Sequence, residues 1–178
     1  GRVQATIPGK DTFIGELDGT ITDRVKAIGA AFEEAGMHCI VSDNIMGVIW
    51  DKLLVNVATG AVCGITHLPY GDMYQEDKLV ATAVAAVQEG MDVAAKAGVK
   101  LTYSDPMDVL ELARAGLPYD FKPSILQSLE KHRPTEVGVI NGAVVAQGAK
   151  HGVATPVNET LVACVTGIER YIREYINK

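Results

Sequence analysis

Lys52 and Asn56 stand four residues apart in WDKLLVN, Trp50 to Asn56, inside the strongly apolar run IMGVIWDKLLVNVATGAVCGITH. On a helix that spacing puts an ammonium and an amide on one face. An unpaired amide on a core face costs about 1–3 kcal/mol, so two such groups stacked together suggest a polar cleft cut into a helical bundle. Their donors could polarise a carbonyl, and a lysine partly desolvated there suits general-acid work. On periodicity alone the plainer reading stays open, a lysine whose stem covers apolar surface while its ammonium reaches water. Glu136 follows Pro134 by two residues, where a helix N-terminus that favours negative charge is a sufficient explanation. Ser124 follows Pro123 and alone reads as a cap. Asn141 reads as a hydrogen-bonding residue between helices.

Composition narrows the classes. At 178 residues the chain fits one domain, or one domain plus a piece of another, and 48% hydrophobic content with mean hydropathy +0.15 supports a real core. Net charge is -6 with both signs interspersed and no basic run, so a nucleic-acid partner is not expected. The longest apolar stretches carry Lys, Asp or Glu, so no membrane span is expected, nor is a leader segment. Cys39, Cys63 and Cys164 are odd in number, far apart and in apolar settings. They read as buried free thiols in a reducing cytoplasm. His38, His67, His132 and His151 show no ligand spacing, so no metal site is expected. The phosphate-binding glycine fingerprints, H-E-x-x-H and G-x-S-x-G are all absent from the sequence.

The elements that must position the candidates follow from periodicity. RVQATI and TFIGEL read as short strands about a Pro8-Gly9-Lys10-Asp11 turn. Thr22 caps a helix with Val25, Ile28, Phe32 and Ala35 on its inner face and Gly36 as its stop, and MHCIV follows as a strand. This β-β-α-β piece is too small to bury both faces of its sheet and looks like the end of an α/β domain whose beginning is absent. Residues 1–42 and 43–178 therefore read as separate domains, the second helical almost throughout. Asp43 caps a helix whose inner stripe is Ile45, Ile49, Lys52, Asn56 and Gly60. A Pro69-Tyr70-Gly71 turn precedes a helix from about Tyr74 to Ala97, with Val80, Val84, Val87, Met91 and Ala94 inward and Gly98 as its stop. Shorter helices follow near Pro106 and over Pro123–Lys131. The next runs from Pro134 to just before Gly152, and the last starts at Thr155-Pro156 with Leu161, Val165, Ile168, Ile172 and Ile176 as one stripe.

WDKLLVNVATGAVCGITHLPYG, PSILQSLEKHRPTEV and ING…HGVATPVNETL, in this order and spacing, resemble the ketopantoate reductase (2-dehydropantoate 2-reductase) family. The likeness spans essentially the whole chain, as the C-terminal part of that family's protein. It implies a mainly α fold: an all-helical C-terminal domain of the 6-phosphogluconate-dehydrogenase-like type, preceded by the last strands and helix of an incomplete Rossmann α/β domain. It also implies NADPH bound mainly by an upstream domain, and a small 2-oxo acid reduced in pantothenate and coenzyme A synthesis. Lys52 matches the family's general acid, and Asn56 and Ser124 match substrate-binding residues. Glu136 matches a catalytic-site glutamate bordering both substrate and nicotinamide ribose.

Departures accompany the likeness. Gly60 stands where many members carry Asn, Tyr70 where a further substrate-binding Asn follows Leu-Pro, and Gly138 and Ser128 where acidic residues are usual. Tyr70 either enters the pocket and favours a substrate with an apolar distal group, or faces solvent at its turn. Ketopantoate reduction, reduction of another 2-oxo acid, and a non-catalytic helical dimerisation module are the three readings carried forward. The chain by itself is expected to be folded but inactive, and its open strand edges to be mobile or to pair with a second copy.

Overall fold

The computed structural model of the chain describes residues 11–177, so the strand read at RVQATI lies outside them. The protein is mainly helical. Its elements run β1 (Thr12–Ile14), α1 (Asp23–Glu34), β2 (Cys39–Val41), α2 (Ile45–Thr66), α3 (Tyr70–Met73), α4 (Asp77–Lys96), α5 (Pro106–Arg114), α6 (Ser124–Glu130), a 3-10 turn (Val137–Val139), α7 (Asn141–His151), α8 (Pro156–Tyr171) and a π-helical turn (Ile172–Ile176). They fall into two compact units, one ending at Ile49 and one beginning at Trp50.

In the first unit β1 and β2 pair in parallel, with Thr12 opposite Cys39 and Ile14 opposite Val41. A parallel pair needs a crossover, and α1 supplies it. Thr22 caps α1 as expected, its hydroxyl accepting the Val25 N–H at 3.2 Å. The inner face differs from the expected one. Val25 and Gly29 are buried, while Ile28 is 45% exposed and Ala35 is exposed. A Cβ at Gly29 would sit 2.9 Å from Val41 Cγ2, so α1 is held to the strands by a glycine that a search for large apolar residues passes over. Gly36 ends the helix at φ +76°.

The second unit is built around α2. By length and composition α2 could cross a bilayer, contrary to expectation, because Asp51 and Lys52 are its only charges. Here it is a core helix, with Leu54, Val57, Ala58, Ala61 and Cys63 fully buried. Its inward side is not the expected one. Ile45 and Gly60 are buried, but Ile49, Lys52 and Asn56 are exposed. A helix apolar nearly all round carries little periodic signal, and its few polar residues mark the outside. The helix starts at Ile45 rather than beside Asp43, with Asn44 O accepting the Val48 N–H.

Glycines let the other helices approach closely. A Cβ at Gly90 of α4 would lie 2.5 Å from Leu54 Cδ2 and 3.6 Å from Val144 Cγ2, so α2, α4 and α7 converge there. Ile125 of α6 seats on Gly60 and Gly64 of α2, where a Cβ would meet it at 3.1 and 2.7 Å.

α4 begins at Asp77 because Tyr70–Met73 forms a helix of its own, and it buries Ala83, Ala86, Val87, Met91 and Ala94, with Val80 and Val84 only half covered. Gly98 at φ +74° ends it, and Asp105 caps α5 by accepting the Met107 N–H at 2.8 Å. α7 starts at Asn141, seven residues after Pro134, since the intervening segment forms a loop and the 3-10 turn. α8 buries Leu161 and Val165, and the wider π turn then swings Ile176 outward to 43% exposure, ending the expected stripe. All three thiols are free, but Cys164 is exposed and only Cys39 and Cys63 are buried.

One polar cluster fastens α4, α7 and α8. Glu89 of α4 accepts the Val157 and Asn158 N–H groups at 2.8 and 2.9 Å, supplying from outside the acceptors that the first turn of α8 lacks. Asn158, fully buried, donates to Ala86 O at 2.9 Å and to Glu89 Oε2 at 2.7 Å, and accepts from Asn141 Nδ2 at 2.9 Å. Asn141 thus bonds between helices, as its sequence context suggests.

Candidate functional site

Lys52 and Asn56 project from adjacent turns of α2, and both are exposed. The desolvation invoked for Lys52 is therefore absent among the described residues. Ser124 opens α6, and it too is exposed. Because the next residue, Ile125, seats on Gly60, one turn beyond Asn56, the head of α6 is anchored to the α2 segment that follows Asn56. Glu136 is exposed and precedes the 3-10 turn, its carbonyl accepting the Val139 and Ile140 N–H groups at 3.0 Å each. Among the described residues none of these four side chains has a hydrogen-bonding or ionic partner, and no hydrogen bond joins Glu136 to the other three. Four polar groups with free donors or acceptors are thus presented outward, two of them on one helix face.

The segment carrying Glu136 is held from behind. His132 sits at φ +53°, Asn177 Nδ2 donates to His132 O at 3.3 Å, and Thr135 N donates to Glu169 Oε1 of α8 at 2.6 Å. Thr135 Oγ1 in turn accepts the Val137 N–H at 3.2 Å.

Tyr70 lies in the core at 6% exposure and does not face solvent. Its hydroxyl is 2.7 Å from Thr59 Oγ1 of α2, and its ring meets Phe121 and Tyr74 edge-on with centroids 5.0 and 5.9 Å away. Burial pushes its phenol upward, opposed by the Thr59 hydrogen bond. The hydroxyl is therefore engaged inside the protein. Tyr70 also lines a cavity of about 400 Å³ together with Tyr74, Arg114 and Tyr119, with the Arg114 guanidinium 5.1 Å from the Tyr74 ring centroid.

Sequence reasoning missed Thr59, Glu89 and Asn158. Thr59 lies seven residues after Lys52, close to its helical azimuth, and Asn158 stands in the quoted TPVN motif. Glu89 carried no local signal, because its partners are 68 and 69 residues away. No group of three or more His, Cys, Asp or Glu among the described residues could hold a metal ion.

The sequence matches the family described as ketopantoate reductase PanE/ApbA C terminal over residues 44–169. A 2-dehydropantoate 2-reductase of Archaeoglobus fulgidus is 31% identical over 158 residues, which cover 89% of this chain and 52% of that protein. Among solved structures, a PanE/ApbA family ketopantoate reductase from Ralstonia eutropha superposes with a TM-score of 0.80 at 29% identity, over 92% of this chain and 53% of its own. A D-mandelate dehydrogenase solved with NADH gives 0.81 at 26% identity, over 91% and 55%. The chain spans about half the length of the curated relatives it matches.

Proposed function

Because the chain belongs to the family of ketopantoate reductase C-terminal domains, we propose that it is the substrate-binding part of an NADPH-dependent reductase converting 2-dehydropantoate to pantoate. Its setting is then cytoplasmic pantothenate and coenzyme A synthesis. Residues 1–42 close a nucleotide-binding domain, and residues 43–178 form the helical domain. The observation that carries this reading is the pair Lys52 and Asn56, unpartnered on one exposed face of α2 just ahead of the point where α6 closes.

The reaction needs a hydride at C2 of the 2-oxo acid and a proton at its carbonyl oxygen. Lys52 Nζ donates a hydrogen bond to that oxygen and passes it a proton as the C=O π bond opens. A C–H and an O–H bond form, and the neutral amine is reprotonated from water. Asn56 holds the substrate beside the ammonium, and the Ser124 hydroxyl gives it a further hydrogen bond. Glu136 fits an acceptor for nicotinamide ribose hydroxyls, its carboxylate being exposed and free. The nicotinamide cofactor supplies the hydride when bound. Tyr70 shapes the domain from inside; touching substrate through its hydroxyl would require releasing Thr59. Among the described residues the sheet has two strands, and on this reading its edges pair with further strands or with a second copy.

A second reading, another 2-oxo acid, is favoured by two observations. Gly60 is covered by Ile125, and the Tyr70 hydroxyl is tied to Thr59, so neither position offers an amide to a substrate hydroxyl. NADPH and NADH oxidation by the full-length reductase, assayed with ketopantoate and a panel of 2-oxo acids, tests both readings. Ketopantoate with NADPH should give the highest kcat/KM. A better substrate without a distal hydroxyl would select the second reading, and no turnover with any 2-oxo acid would overturn both.

A further inference from the structure

Glu169 lies on α8, 33 residues beyond Glu136, yet its carboxylate reaches the backbone immediately before that residue. Glu169 Oε1 accepts the Thr135 N–H at 2.6 Å, a short bond to a charged acceptor, and such bonds are roughly twice as strong as neutral ones. Three further features fix the same segment, residues 132–137. His132 occupies the left-handed region at φ +53°, which a residue other than glycine keeps only when its surroundings hold it there. Arg133 N donates to Ser128 O at 2.9 Å, closing the end of α6. Thr135 Oγ1 accepts the Val137 N–H, so the residues on either side of Glu136 are both fixed through Thr135. Glu136 contributes its own carbonyl to the 3-10 turn, while its side chain is free. The hydrogen-bonding logic is thus a clamp on the backbone that leaves the carboxylate of Glu136 available. Glu169 is half-buried, and the small cavity of about 200 Å³ that it lines is also lined by His132, Arg133 and Arg173.

From this we infer that Glu169 is a positioning residue for Glu136: its carboxylate sets the height and direction of the Arg133-Pro134-Thr135-Glu136 segment. The inference rests on the proposed role of Glu136. A displacement of about 1 Å at a group that orients substrate can cost on the order of 10²-fold in rate, and a single lost backbone anchor should produce a part of that.

The test is a double-mutant cycle in the full-length reductase, with kcat and KM measured separately. Glu169→Ala should lower kcat/KM by about 10-fold, moving kcat and KM together in the pattern of Glu136→Ala. The double variant should be no worse than Glu136→Ala within about 3-fold, because positioning has no value once the positioned group is gone. Glu169→Gln, which keeps an acceptor for Thr135 N, should recover most of the loss. Amide exchange of Thr135 in the present chain should accelerate in Glu169→Ala and not in Glu169→Gln. Additive losses in the double variant, or a lower fraction of active enzyme with KM unchanged, would overturn the inference and leave Glu169 a stabilising residue only. If Glu136→Ala itself left kcat/KM intact, the proposed site would fail instead, and the two failures are distinct.

Discussion

Two asparagines of this chain have opposite surroundings, and removing each should separate structure from function. Asn158→Ala deletes two donated hydrogen bonds, to Ala86 O and Glu89 Oε2, and one accepted from Asn141 Nδ2. Glu89 keeps the Val157 and Asn158 backbone N–H groups, so its charge stays partnered. Asn141 fares worse. Its Oδ1 already has no partner while buried, and the variant would leave its Nδ2 bare as well. One buried donor stranded costs about 1–3 kcal/mol, and the lost bonds to Ala86 and Glu89 add to that. The total is about 2–4 kcal/mol, or roughly 5–15 °C in Tm for a domain of this size. Trp50, the single tryptophan and 7% exposed, reports the helical unit, so urea unfolding followed by its fluorescence is the assay. The midpoint should fall with the slope unchanged. Asn56→Ala, at an exposed and unpartnered position, should stay within about 0.5 kcal/mol of the parent. Adding Asn141→Ala to Asn158→Ala should cost little more, since the stranded amide is then absent. A loss below about 1 kcal/mol for Asn158→Ala, or equal losses for the two asparagines, would refute the cluster as the fastening of α4, α7 and α8.

Three further outcomes are expected. In the full-length protein, on the proposed reductase reading, Lys52→Ala should lower kcat by about 10²–10⁴-fold with a smaller change in KM; kcat within about threefold of the parent in steady-state assays would return Lys52 to an ordinary surface lysine. Tyr70→Phe should destabilise the helical unit by about 1–3 kcal/mol, because Thr59 is fully buried and would lose the partner at 2.7 Å. Unfolding curves that superpose on the parent would show that hydroxyl pair to be idle. Burial pushes the Cys63 thiol up to about 12, so the folded state holds a proton that the unfolded state releases above roughly pH 8.5. Stability is therefore full below that pH and falls as pH rises toward 12, by about 1.4 kcal/mol per unit from Cys63 alone. Comparing the parent with Cys63→Ala between pH 8 and 10.5 checks it, and parallel curves would remove Cys63 as the cause.

Much of the fold was legible because its signals are local. Thr22, Pro106, Gly98 and Gly152 act on the backbone at or within a few residues of themselves, so the ends of α1, α5, α4 and α7 follow from residue chemistry read in order along the chain. The candidate site was legible to the same depth. The four-residue spacing of Lys52 and Asn56 places them on one helix face wherever that helix lies, and the order of the W-D-K-L-x-x-N, P-S-x-L-Q and R-x-T-E stretches carries the family. Tertiary packing decided the rest. Which side of α2 faces inward was not written in a run apolar all round; it was set by Gly90 admitting Leu54 and by Gly60 and Gly64 admitting Ile125. The place of Tyr70 depended on Thr59 and Phe121, and that of the Glu136 segment on Glu169. The first turn of α8 found its acceptors on Glu89, nearly seventy residues away. Periodicity records which faces are apolar, but a close helix contact at glycine or a carboxylate reaching a distant backbone N–H leaves no period, so only the folded chain brings those partners within bonding distance.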